Sequence, residues 1–175
     1  MMDKTMLLVT AAGPDRIGFV DELTNVLVRN GANIEESRMA RLAGDFAALV
    51  LVSVSPERVQ GLKGGLADLR SPSVEIAVRG VAAPEATGFR DYVSCGISVR
   101  GADHEGIIQS IAHTLRSLGV NIAELESDVN QAPESGAPLF NMKATLQVPP
   151  GMTLERLEEE LRHAGEQMSV EIELN

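Results

Sequence analysis

The same pattern is written twice in this chain. After a shift of 88 positions, residues 13–36, "GPDRIGFVDELTNVLVRNGANIEE", lie over residues 101–124, "GADHEGIIQSIAHTLRSLGVNIAE". Gly13 falls on Gly101, Asp15 on Asp103, Gly18 on Gly106, Leu27 on Leu115 and Gly31 on Gly119; Asn33 and Ile34 fall on Asn121 and Ile122. A duplication at this spacing means two structural units of about 80 residues, each built on one supersecondary plan. Whatever the first copy folds into, the second must match.

The local patterns give that plan. "TMLLVT" is an apolar run ending in a glycine turn. Phe19, Val20, Leu23, Val26 and Leu27 then recur at helical steps of three and four. Asn30-Gly31 predicts the helix stop, because glycine readily takes the left-handed conformation there. Residues 33–42 and 46–54 read as strands around the hairpin signal Ala43-Gly44-Asp45. Pro56 opens a second helix with Val59, Leu62, Leu66 and Leu69 on one side, and "VEIAV" at 74–78 closes the unit as a strand. The second copy repeats the order: strand 92–100, helix 104–118, strand 121–130, the loop "QAPESGAP", strand 139–148, helix 153–165 and strand 170–174. In the 139–148 strand, Phe140, Met142, Ala144, Leu146 and Val148 share a face.

The order β-α-β-β-α-β, twice, predicts an α+β fold: two ferredoxin-like units, each a four-stranded antiparallel sheet with both helices on one face. "GVAAPEATGFRD" at 80–91 joins them, which sets the first domain at 1–80, the linker at 81–91 and the second domain at 92–175. "FAALVLVSV" at 46–54 is apolar on both of its faces, so the open side of the sheet also needs a cover. Units this small have marginal cores. We therefore expect the two copies to pack on each other or the chain to form a homodimer.

Composition narrows the function. The formal net charge is −10, which disfavours direct binding to nucleic acid phosphates. A chain like this acts on transcription through a protein or small molecule, if at all. No signal-like segment and no membrane-length apolar run is present, so a cytoplasmic location is expected. The single cysteine, Cys95, excludes an internal disulfide and reads as a core-facing thiol beside Val93, Ile97 and Val99. No cofactor fingerprint appears, and His104, His113 and His163 lack metal-ligand spacing.

The turn carries the chemistry. Asp15 and Asp103 are suited to N-capping, which would place Gly18 and Gly106 within the first helical turn. Glycine costs about 1 kcal/mol relative to alanine there. Close approach of another backbone or of a ligand would offset it. A helix start with free amides attracts a carboxylate. Asn33 and Asn121 open the next strand, expected beside the first and so near the turn, where an amide side chain can hold a carboxylate or ammonium group; equally, each can bond its own backbone. Ile34 and Ile122 read as core anchors.

These residues resemble the start of an ACT domain, whose pattern runs D-R-P-G, an amphipathic helix and then N-I. "NIEESRMARLAGDF" is similar in particular to the glycine cleavage system transcriptional repressor group, which has two tandem ACT domains. The resemblance implies a non-enzymatic regulator that senses a small amino acid, glycine foremost, and contacts a transcriptional activator rather than DNA. It implies a first ligand site at Gly13, Asp15, Arg16, Gly18, Asn33 and Ile34, and a second at Asp103, His104, Gly106, Asn121 and Ile122. Ile17 and Glu105 stand where the family prefers proline, and His104 replaces the arginine. Glu105 would repel a carboxylate, which favours the first turn as the ligand site and the second copy as a packing partner. Two other classes fit the layout: an interaction module without metabolite, using the acidic Glu124, Glu126 and Asp128, and an acylphosphatase-like enzyme using Arg16 and Asn33.

Overall fold

The computed structural model describes residues 4–81, 89, 91–133 and 135–175. The chain divides into two compact units, Met1–Ala86 and Thr87–Asn175. Most of the expected linker at 81–91 lies outside the described residues.

In the first unit β1 (Thr5–Pro14), α1 (Phe19–Arg29), β2 (Asn33–Leu42), β3 (Asp45–Val54), α2 (Val59–Asp68) and β4 (Glu75–Gly80) follow one another, with a single 3-10 turn at Pro56–Arg58 leading into α2. The second unit repeats this as β5 (Val93–Ala102), α3 (Ile107–Ser117), β6 (Asn121–Gln131), β7 (Pro138–Val148), α4 (Leu154–Met168) and β8 (Val170–Leu174). The two antiparallel sheets have strand orders β2-β3-β1-β4 and β6-β7-β5-β8. These are two ferredoxin-like α+β units.

Each core forms where the alternating strand face meets the helical stripe. In the first, Leu7, Val9, Val50, Val52 and Val54 from the central strands pack with Leu23, Leu27, Leu62 and Leu66 from the helices. In the second, Ile97, Val99, Met142 and Leu146 meet Ile111, Leu115, Leu157 and Leu161. Complete burial of a leucine contributes about 1.5–3 kcal/mol. Cys95 packs at the margin of the second core, where burial raises its thiol pKa, as expected of a structural cysteine.

The stop signals act as expected. Gly31 (φ +64) ends α1, with Ala32 N–H donating to Leu27 O at 2.9 Å and Gly31 N–H to Val28 O at 2.9 Å. Gly119 (φ +70) ends α3 with the matching bonds to Leu115 and Arg116. Ala43 and Gly44, both at positive φ, turn β2 into β3. Two helix bounds differ from the sequence reading. α3 starts at Ile107 because Gly106 caps it, and α4 runs on to Met168, where Ser169 turns left-handed.

The strand order overturns one expectation. β2 is an edge strand and does not lie beside β1; β3 separates them. Local periodicity gives strands but not their neighbours, and in this topology the hairpin inserts β3 between β1 and β2. All ten residues of β2 are exposed.

Candidate functional site

The two glycines of the turn have different causes. Gly18 and Gly106 are the N-cap residues of α1 and α3, at φ +91 and +93, and neither helix has a side-chain cap. Asp15 and Asp103 are thus not the caps, and the glycines stand before the first helical turn, not within it. A Cβ on Gly18 would meet nothing within 4 Å, so its backbone conformation, not close packing, requires glycine. Close approach belongs instead to the first glycine of each turn. A Cβ on Gly13 would lie 2.6 Å from Ser73 O, and one on Gly101 3.0 Å from Val170 Cα.

The side chains of the first turn are satisfied by their neighbours. Asp15 N–H donates to Gly44 O at 2.9 Å, and its Oδ2 accepts from Arg41 Nε at 2.9 Å. The far end of the β2–β3 hairpin therefore packs on the turn. Arg16 forks onto both oxygens of Glu22, at 2.6 and 2.5 Å, with its guanidinium 5.4 Å from the Phe19 ring centroid. That pairing raises the arginine pKa and lowers that of Glu22. Ile17, at the tip, is fully exposed.

In the second turn Asp103 N–H donates to Pro138 O at 3.1 Å. His104 places Nδ1 3.0 Å from Glu105 O and Nε2 2.7 Å from Met168 O. Carbonyl oxygens only accept, so each nitrogen bonds there only when it carries a proton, and both bonds form together only in the imidazolium. These two contacts, with Glu105 first, raise its pKa.

The asparagines lie elsewhere. Asn33 pairs with Ser53, and Ser53 with Met6, near the start of β1. From Met6 to Pro14 the strand rises roughly 26 Å at about 3.3 Å per residue. Asn33 and Ile34 are thus at the opposite end of their sheet from Gly13, Asp15, Arg16 and Gly18. Asn33 Nδ2 donates to Glu35 Oε1 at 3.0 Å, and the buried Ser53 hydroxyl donates to the same oxygen at 2.5 Å. Lys4 Nζ reaches that hydroxyl at 3.4 Å. The serine first, then the asparagine and Lys4, lower the Glu35 pKa. In the second unit Asn121 donates to Gln147 Oε1 at 2.7 Å. Ile122 packs against the second core, but Ile34 remains 39% exposed, so only one of the two is a core anchor.

Two open hollows flank α3. One, of about 510 Å³, is lined by Asp103, His104, Gly106, Ile107, Val129 and Phe140 among others. The other, of about 440 Å³, holds Asn121 and Ile122 with Phe89, Leu115, Arg116 and Gly119. The second set of candidates is therefore divided between the two ends of one helix. Glu22, Arg41, Val129 and Met168 were not singled out from the sequence. Only Glu22, on the helix that Arg16 precedes, left a local trace; the others reach the turns through the tertiary fold. Among the described residues no group of three His, Cys, Asp or Glu is placed to hold a metal ion, and no helix is long and apolar enough to cross a membrane.

Residues 5–76 match the family model for the ACT domain. The first unit is an ACT domain. The match covers the first unit, and the second repeats its element order and strand order. It is 27% identical over 172 residues to the glycine cleavage system transcriptional repressor of Escherichia coli (strain K12), covering 97% of this chain and 88% of that one. An unknown protein from Galdieria sulphuraria has a solved structure with TM-score 0.81 and 32% identity, covering 99% of this chain and 98% of that one. A solved structure provisionally described as a glycine cleavage system transcriptional repressor superposes with TM-score 0.70 at 22% identity, covering 98% and 96%; it supports the fold. The similarity to the repressor supports a regulatory role.

Proposed function

We propose that this tandem ACT protein is a cytoplasmic sensor of a small amino acid, with glycine the first candidate, that modulates transcription of glycine cleavage genes by contacting an activator protein. The observation that carries this reading is the end-to-end similarity to a glycine cleavage system transcriptional repressor. The net charge of −10 supports contact with a protein over contact with DNA.

The hollow beside the second turn has the chemistry for such a ligand. An ammonium group suits the Asp103 carboxylate, and a ligand carboxylate suits the uncapped start of α3 behind Gly106. Both His104 ring nitrogens face carbonyl oxygens, so the ring offers a ligand no free donor. The first turn offers Arg16, which would have to exchange Glu22 for the ligand. Since Asn33 lies at the other end of its sheet, a single small amino acid does not touch Asn33 and the first turn of the same unit together. Binding would act by favouring one packing state, to the extent that the ligand's affinity differs between states.

Isothermal titration calorimetry with glycine, serine and the other common amino acids tests the reading. Saturable heat that is weakened by Asp103→Ala or Arg16→Ala supports it. No heat with any of them removes the sensing role and leaves the fold.

A second reading has its own support. Glu124, Glu126 and Asp128 on β6 and Glu171 and Glu173 on β8 lie on the open face of the second sheet, a surface suited to a basic protein partner without a metabolite. A stoichiometric partner indifferent to amino acids would favour it.

A further inference from the structure

The open faces of the two sheets have opposite character. Cross-strand partners share a face, so the register gives each face row by row. On the first sheet one row reads Glu36, Leu51, Leu8, Arg79 from edge to edge, and the next Arg38, Leu49, Thr10, Ala77. A third reads Ala40, Ala47, Ala12, Glu75. The middle is apolar, and Leu49 is 49% exposed. The charges stand at the rims, with an acid facing a base across the Glu36–Arg79 row.

Such a surface is complementary to itself. A two-fold axis parallel to the strands superposes β2 of one copy on β4 of the other. Glu36 then stands opposite Arg79 of the second copy, and Arg79 opposite its Glu36. Arg38 and Glu75 are offset by a single row, within reach of long side chains. Leu8, Leu49 and Leu51 meet their counterparts in the middle. Sheets stacked this way lie about 10 Å apart, and each contact is formed twice.

The second sheet cannot do the same. Its rows read Glu126, Lys143, Ser98, Glu173 and Asp128, Asn141, Arg100, Glu171. Both edges are acidic, so the same operation sets acid against acid over a polar centre. Like charges held face to face are destabilising.

We infer that the open face of the first sheet, centred on Leu8, Leu49 and Leu51, is a self-association surface, and that a second copy of this chain covers it in a face-to-face dimer with Glu36–Arg79 pairs at both rims. The surface is distinct from the turns and does not depend on a ligand.

Sedimentation velocity on the full chain, without added amino acid, tests this. The wild type sediments at twice the 18.7 kDa chain mass. Glu36→Arg and Arg79→Glu each raise the dimer dissociation constant by about tenfold or more, since each creates two repulsions. The double exchange restores it to within about threefold. Leu49→Lys, at an exposed site, gives a monomer with unchanged circular dichroism, while Thr145→Lys on the second sheet leaves association intact. A monomeric wild type, a dimer untouched by Leu49→Lys, or single exchanges that the double exchange does not rescue would each overturn the inference.

Discussion

His104 Nε2 lies 2.7 Å from the carbonyl oxygen of Met168, the last residue of α4 and 64 positions away in sequence. The ring thus ties the second turn to the C-terminal end of a helix, where positive charge is favoured. Its other nitrogen faces Glu105 O, and both contacts raise its pKa above 6.5. A raised folded-state pKa contributes stability that is fully present below the unfolded value and lost as pH rises through the folded one. We expect the melting temperature of the wild type to exceed that of His104→Gln at pH 6, and the difference to fade above the folded-state pKa. A pH series of thermal melts on both proteins measures it.

Two glycines five residues apart should respond differently to alanine. Gly18→Ala forces a side chain into a left-handed conformation with open space around it, at a cost of about 1–2 kcal/mol. Gly13→Ala drives a Cβ against Ser73 O and must move β4, so its cost exceeds that of Gly18→Ala. Urea unfolding of both variants orders them; a cost near zero for Gly13→Ala would mean that the steric contact adds nothing there.

Glu35 accepts hydrogen bonds from Ser53 and Asn33. Its folded-state pKa is lowered below 4.5, so its contribution is present above the unfolded pKa and lost as pH falls through the folded one. Removing the Ser53 hydroxyl, the largest cause, should return the Glu35 pKa toward its ordinary value. Carboxylate titration by NMR in Ser53→Ala reads this directly.

Leu62 on α2 and Leu115 on α3 are completely buried in the two cores. Truncation of either to alanine should cost about 2–5 kcal/mol. Denaturant unfolding of the two variants measures the loss; a cost below about 1 kcal/mol at either would mean that its core is not packed as described.

The candidate site was only partly legible in the sequence. Asp15 looked like a cap because a carboxylate before a helix is the usual device. It is instead taken by Arg41, which the hairpin delivers from β2. Asn33 looked close to the turn because it follows the first helix directly. The helix carries the chain back along the sheet, so the strand after it starts at the far end.

What the sequence determined by itself is the duplication, the succession of strands and helices, their stops at Gly31 and Gly119, and the strand faces that build each core. These follow from periods of two and 3.6 residues and from backbone conformations open to glycine, all set within a few neighbouring residues. Tertiary structure alone decided that β3 separates β2 from β1, that the hollows lie at the two ends of α3, that His104 meets Met168, and that the two open faces differ in charge symmetry. Each of those depends on which strand lies next to which and in what register, and a pairing between distant residues leaves no mark in local periodicity.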